Sequence, residues 1–363
     1  MRPARILLTG AGGFVGRHLL PALRAAFPEA VLIGATRRAD EGRAPGSDEA
    51  LALDLDQLGT LPDAVAAARP DAVLHLAARA DVGASFRDPL AAWRTNLMGT
   101  VGLAEAVLRV APRAPFLMAS SGEVYGLAFR AGTPVAEDTT PAPANPYAAS
   151  KAAADLALGE MALRGLRAIR MRPFTHTGAG QSDGFVVAAF AHQVARIEAG
   201  LQPPLLQTGA LDRWRDFLDV RDVCSAYVTA LARADDLAPG MALNICSGTP
   251  RRIGDMLDSL LRLSGVEARV EQEAARLRPT DVERVLGDCS RARAVLGWAP
   301  AIPWEETLAT VLADWRERVA QGRVAPGPLS ARQHAQMPRQ HLGRAPPGHR
   351  LEPVPDCRLP LGD

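Results

Sequence analysis

Up to about residue 175 the chain interleaves two kinds of segment. Short, nearly unbroken apolar runs (RILLTG, VLIGAT, DAVLHLAA, APFLMASS, LRAIRMRPF) are separated by longer stretches in which apolar residues return every third or fourth position (VGRHLLPALRAAF, LPDAVAAARP, NLMGTVGLAEAVLRV, YAASKAAADLALGEMALRG). The first pattern reads as strands buried on both faces and the second as amphipathic helix. Their alternation predicts a parallel sheet covered by helices on both sides, a doubly wound α/β fold. Beyond residue 175 the alternation loosens, and added proline, glycine and longer connections predict a smaller C-terminal domain set against the strand ends. Ligands of such folds bind in the crevice outside the carboxyl ends of the strands.

Composition changes this picture mainly by exclusion. At 363 residues and 48% hydrophobic, the chain can bury one large or two modest cores. A net charge of +1 advertises neither nucleic acid nor an anionic membrane as partner. Cys224, Cys246, Cys289 and Cys357 show no metal-like or paired spacing, which fits a reduced, cytoplasmic setting. The opening MRPARILLTG runs straight into a strand pattern and predicts no signal peptide, and no uninterrupted apolar run predicts a membrane span. From residue 323 onward proline, glycine and arginine replace any hydrophobic period, the composition of a disordered tail. Its histidines, His334, His341 and His349, read as solvated filler.

Candidate chemistry begins at the first strand end, Thr9-Gly10-Ala11-Gly12-Gly13-Phe14-Val15-Gly16. Gly10, Gly13 and Gly16 are one residue wider in the first gap than the G-x-G-x-x-G dinucleotide fingerprint, with the required strand before and helix after. Such a turn brings backbone against a pyrophosphate at a helix N-terminus. The second strand ends Gly34-Ala35-Thr36-Arg37-Arg38, with no carboxylate for a ribose hydroxyl. An arginine there accommodates a 2′-phosphate, so Arg37 points to NADP(H), with NAD(H) the second choice. Asp54 is placed either to reach the adenine amine or to cap a loop. MASSGEVYG ends a later strand and offers Ser121 to hydrogen-bond a substrate oxygen and Glu123 to move a proton.

Of 41 basic residues Lys151 is the only lysine. A preference for arginine that strong replaces lysine wherever charge alone matters, so Lys151 marks a position needing a compact ammonium with a movable pKa. It follows Tyr147, one of three tyrosines, by four residues, and positions i and i+4 share a helix face. Asn145 and Pro146 read as the cap and first residue of that helix. The alternative is a surface lysine left by drift beside a core tyrosine.

Together these motifs resemble the extended short-chain dehydrogenase/reductases that act on nucleotide sugars, over residues 4 to 316. The Tyr-x-x-x-Lys pair matches Tyr147 and Lys151, the strand-end serine Ser121, and the glycine motif Gly10, Gly13 and Gly16; HLAA from His75 and Asn96 in TNLMGT fall at further landmarks. RPFTHTGAGQSDGFVVAAF, RDFLDVRDVCSAY, NICSG and RPTDVERVLGDCSRARAVLGWAP are similar to the group that reduces GDP-6-deoxy-4-keto-mannose. Thr175 stands where that group has asparagine, and Trp214 precedes Arg215 where a small or basic residue is commoner.

The resemblance implies an NADP-binding Rossmann domain over 1–174, and a mainly nucleotide-sugar-binding domain over 175–322 with segments around 215–248 returning to the first. It implies that Tyr147 donates a proton with Lys151 as partner, that Ser121 polarises the reacting oxygen, and that Glu123 joins them. Cofactor contacts are expected at Gly10, Gly13, Phe14, Val15, Gly16, Arg37, Asp54, Leu55, Leu76, Ala77, Ala78, Asn96, Tyr147, Lys151 and Pro173. Substrate contacts are expected at Ser85, Ser121, Glu123, Thr175, Arg215, Arg278 and Glu283, the arginines on a diphosphate; His176 either touches substrate or caps a strand. No metal is expected. The implied reaction is NADPH-dependent reduction of the C4 ketone of a GDP-linked 6-deoxyhexose to GDP-D-rhamnose. A phenol with reference pKa near 10 exchanges protons poorly at neutral pH, and the adjacent ammonium is expected to lower it. The rivals are a 4,6-dehydratase or epimerase using Glu123, against which Gly122 replaces an acid common in dehydratases, and a non-catalytic NADP-binding sensor or scaffold. The family also implies a homodimer through a four-helix bundle of the helices bearing Asn96 and Tyr147.

Overall fold

The strand RILLT is apolar at Ile6, Leu7 and Leu8 on both of its faces, and it lies in the interior of a sheet packed from both sides. A computed structural model describes residues 2–273 and 282–322. Seven strands form the main sheet: β1 (Arg5–Thr9), β2 (Val31–Thr36), β3 (Glu49–Ala52), β4 (Ala72–His75), β5 (Phe116–Ala119), β6 (Ala168–Pro173) and β10 (Met241–Ile245). Their order is β10-β6-β5-β4-β1-β2-β3, and every pairing is parallel. This is the doubly wound α/β architecture that the alternation predicts, with its topological switch point between β1 and β4. Two apolar cores lie on opposite faces, one gathering Leu8, Leu20, Leu117 and Tyr227, the other Leu7, Val73, Phe116 and Leu158.

After β6 the chain builds smaller sheets. β7 (Thr175–Thr177), β9 (Trp214–Asp219) and β11 (Pro250–Arg252) form one, and β8 (Leu205–Thr208) pairs with β12 (Arg269–Gln272) in another. Between them the helix Val220–Ala232 packs back against the helix Phe14–Ala26, and β10 extends the main sheet beside β6. Strands of both parts therefore end around one crevice. No described helix is long and apolar enough to cross a membrane. The stretch 323–363, expected as a disordered tail, lies outside the described residues.

Candidate active site

Gly10 follows β1 with φ +71°, and a Cβ there would stand 2.9 Å from the Ala77 backbone nitrogen. A Cβ on Gly16 would meet the Gly10 carbonyl oxygen at 2.4 Å. Turn, β4 end and helix start are therefore packed backbone to backbone, which only glycine allows. Phe14 and Val15 open the helix Phe14–Ala26, and a helix N-terminus favours an anion. Arg37, just past β2, is exposed and makes no ion pair among the described residues, whereas Arg38 pairs with Asp40 and Glu41. Asp54 accepts from the Asp56 backbone N–H at 3.0 Å, the loop-cap alternative, and Leu55 is buried against Gly99.

The Pro146–Leu163 helix starts as expected. The Asn145 side chain caps it by accepting from Ala148 N–H at 2.7 Å, with Pro146 in the first turn. Tyr147 and Lys151 then share the face toward the end of β5. The Tyr147 phenol hydrogen-bonds Ser121, whose hydroxyl also accepts from Glu123 N–H at 3.1 Å. Lys151 is buried, and its ammonium donates to the Ala119 carbonyl. Here the structure corrects one expectation. The phenol pKa is not lowered but pushed up to about 12, by burial first, with the Ser121 hydrogen bond opposing and Glu123 adding to the rise. Burial likewise brings Lys151 down to about 8, against the pull of Asp155. Each group is driven toward its neutral form because a low-dielectric site penalises charge of either sign.

Behind this triad runs a relay that sequence reading did not assemble. Ala77 N–H donates to Thr9 Oγ1 at 3.2 Å, Thr9 Oγ1 lies 2.8 Å from His75 Nδ1, and His75 Nε2 lies 2.9 Å from Thr100 Oγ1. Thr100 gives its proton to Asn96 O at 2.7 Å, so it accepts from His75 Nε2–H, and Nδ1 accepts from Thr9. The imidazole is thus neutral, its pKa brought down to about 3 by burial and then by Lys151. Asn96, in a π-helical turn over Trp93–Gly99, clamps Arg79 N–H at 2.7 Å and Arg79 O at 3.1 Å, and donates to Ser150 at 3.0 Å. Its amide thereby shapes the loop after β4. A second cluster supports the helix: Asp155 pairs with Arg172 at 2.7 Å and Arg170 at 3.0 Å, and Arg172 donates to Tyr125 Oη, which donates to Asn244. Burial opposes the charge on Asp155, but the two arginines hold its carboxyl below the usual range.

The crevice beside Tyr147 is lined by Phe86, Glu123, Phe129, Asn145, Arg215 and Val282. Glu123 is reached by Asn145 Nδ2 at 3.4 Å. Arg215 Nη1 donates to Trp214 O at 2.8 Å and Glu283 O at 3.4 Å, so one guanidinium face is fixed by backbone. Among the described residues no group of three or more His, Cys, Asp or Glu side chains is arranged to hold a metal ion.

The family model described as GDP-mannose 4,6 dehydratase matches residues 7–311. The chain belongs to that family, within the extended short-chain dehydrogenase/reductases. Over 318 residues it is 39% identical to the GDP-6-deoxy-D-mannose reductase of Pseudomonas aeruginosa, covering 87% of this chain and 99% of that protein. The structure of RMD from the same species complexed with NADPH matches with TM-score 0.76 and 37% identity, over 87% of this chain and 98% of that one. The NAD complex of UDP-glucose 4-epimerase from Thermus thermophilus matches at TM-score 0.74 and 28% identity, over 86% and 99%.

Pro173 is buried at the end of β6, and Leu76, Ala77 and Ala78 form the half-buried wall after β4. Ser85 gives its proton to Val82 O at 2.7 Å and accepts from Tyr147 N–H at 3.2 Å, so its hydroxyl ties helix ends together before it can serve a substrate. His176 Nδ1 donates to Phe174 O at 2.9 Å and its ring stacks on Phe14, which favours the strand-capping role. Thr175 lies in β7 opposite Phe217, while Trp214 carries Arg284 over its ring at 5.2 Å and pairs through its backbone with Glu283. Arg278 lies outside the described residues. Cys246 and Cys289, unrelated by spacing, are both buried with their thiols hydrogen-bonded to each other.

Proposed function

We propose that this protein reduces the C4 ketone of GDP-4-keto-6-deoxy-D-mannose with NADPH, giving GDP-6-deoxy-D-mannose, that is GDP-D-rhamnose. The likeness to the Pseudomonas aeruginosa reductase supports the substrate, and the Ser121, Tyr147 and Lys151 arrangement supports the chemistry. The observation that carries reduction over elimination is at Gly122. A Cβ there would stand 2.9 Å from the Phe174 ring, so an acid cannot occupy that position without moving a buried aromatic. Glu123 is then a carboxylate at the rim without the acid partner that a dehydration needs.

The residues present fit the cofactor, because Gly10 and Gly16 pack the turn backbone to backbone against the helix start while Gly12 faces open space, the kind of turn that accepts a diphosphate. Gly10, Gly13, Gly16, Phe14 and Val15 would hold the diphosphate, Arg37 the 2′-phosphate, Leu55 and Leu76–Ala78 the adenosine side, and Lys151 and Pro173 the nicotinamide side. Bound there, NADPH supplies the hydride that C4 accepts. Tyr147, protonated at any working pH, delivers a proton to the C4 oxygen as it gains charge. Ser121 orients that oxygen and hydrogen-bonds the phenolate left behind, and the Lys151 ammonium stabilises it. Arg215 would meet the diphosphate of the sugar nucleotide, and residues 175–214 and 249–322 would form most of its binding surface. We read the assembly as a homodimer: Leu90, Met98, Leu156 and Leu163 are exposed on the two adjacent helical segments, Leu163 at 89%. The setting is the cytoplasm, which supplies reduced nicotinamide.

The test is a substrate panel with purified protein and NADPH. The expected result is cofactor oxidation with GDP-4-keto-6-deoxy-mannose and none with the corresponding UDP or dTDP 4-keto sugars. Conversion of GDP-mannose to the 4-keto sugar without net cofactor oxidation would assign the dehydratase reaction instead.

A further inference from the structure

Strand β9 borders two cavities. Arg215 lines the catalytic crevice, whereas Phe217 and Asp219 line a separate cavity of about 300 Å³, bounded also by the segments 247–251 and 300–304. Two arginines reach the second cavity, Arg251 and Arg293, and neither makes an ion pair among the described residues. The Arg251 guanidinium rests over the Trp304 ring at 5.0 Å, and its Nε is buried with no hydrogen-bond partner. Of the carboxylates nearby, Glu305 attracts Arg251 and Asp288 attracts Arg293 from beyond ion-pair distance, and the others are engaged. Asp219 is held by Arg221 and the Thr307 hydroxyl, and Asp222 accepts from Ala301 and Ile302 N–H. Asp216 accepts from Ser247, Gly248 and Gly287. Thr249 adds a hydroxyl at the mouth, and Phe217, Pro300 and Ile302 an apolar wall.

A buried guanidinium nitrogen with no acceptor, a second arginine outside ion-pair contact and a hydroxyl lining one cavity call for an oxyanion, and planar guanidinium favours phosphate or carboxylate. The volume exceeds what a bare phosphate fills and lies at the small end of ligand pockets. We propose that this cavity is a second ligand site, separate from catalysis, that takes a small organic phosphate of hexose-phosphate size through Arg251, Arg293 and Thr249.

Titration calorimetry with a hexose 1-phosphate tests this in the full-length protein with NADP⁺ and GDP present at saturation, using citrate as the carboxylate control. The expected result is one additional site, weakened at least ten-fold by Arg293→Ala and by Arg251→Gln, and unchanged by Arg215→Ala. Arg293 is exposed, so its substitution does not threaten folding, and unchanged NADPH oxidation kinetics verify that catalysis is intact. Binding by both variants equal to wild type, loss of the site in Arg215→Ala, tighter binding of citrate than of the phosphate, or no binding at millimolar concentration would each overturn the proposal.

Discussion

Burial makes Lys151 the titrating member of the proposed catalytic set. With the phenol at about 12 and the ammonium at about 8, the proton donor stays protonated across the neutral range while its electrostatic partner does not. The stabilising charge is present below about 8 and is lost as pH rises through it, so kcat/KM for reduction should be flat near pH 6.5 and fall above pH 8. Lys151→Arg keeps its charge, so it should lose that alkaline limb while running slower at every pH, because the broader guanidinium cannot fit beside Ala119 O. A limb unchanged in the arginine variant would assign it to another group. Tyr147→Phe should lower kcat by about 10² to 10⁴, the worth of a positioned proton donor. Arg37→Ala should raise KM for NADPH roughly ten-fold, as expected for one charge-assisted hydrogen bond, and leave NADH almost untouched. At this scale the sequence was most informative where residue type is restrictive: one lysine, a tyrosine at i−4 and three spaced glycines. It said least about pKa, because burial is decided by residues far away in the chain.

Elements depend on contacts between residues distant in sequence. The start of the catalytic helix was readable from Asn145 and Pro146, since capping is local, and the cap is present. The Asp155 cluster was not readable, because Arg170 and Arg172 come from the next strand and look like any of forty arginines until β6 brings them alongside. Asp155→Asn should destabilise the fold by about 3–5 kcal/mol in urea unfolding, because two buried guanidinium groups lose their counter-charge. A midpoint like that of wild type would show that they find another partner. Likewise, His75 was noted only as a landmark, and its relay appears when β1, β4 and the helix after Trp93 meet. Gly16→Ala tests the turn itself: a methyl 2.4 Å from the Gly10 carbonyl must push the first helix outward and weaken NADPH binding measured by fluorescence.

For the whole molecule, hydrophobic alternation was enough to predict the parallel sheet at β1, β2, β4, β5 and β6, because a strand buried on both faces needs no partner information to be apolar, whereas the edge strand β3 is largely exposed and gives no such run. The seventh strand, β10, arrives after that pattern has broken and rested on family likeness. The smaller sheets could not be drawn from pattern at all: β7 and β11 have three residues each, too few to show a period. Assembly belongs to this scale as well. If Leu90, Met98, Leu156 and Leu163 form the dimer surface, Leu163→Glu combined with Leu156→Glu should halve the mass seen by light scattering without lowering the unfolding midpoint of the protomer. A wild-type protein that is monomeric at micromolar concentration would show that these leucines and Met98 form no four-helix interface.

Reduction at C4 is tested most directly by following a label. With NADPH carrying deuterium at nicotinamide C4 on the transferred face and GDP-4-keto-6-deoxy-mannose as substrate, net reduction predicts one deuterium at sugar C4 per cofactor oxidised, read by NMR of the product. Absence of label at C4, or label at C6 with the cofactor returned to its starting state, would contradict it.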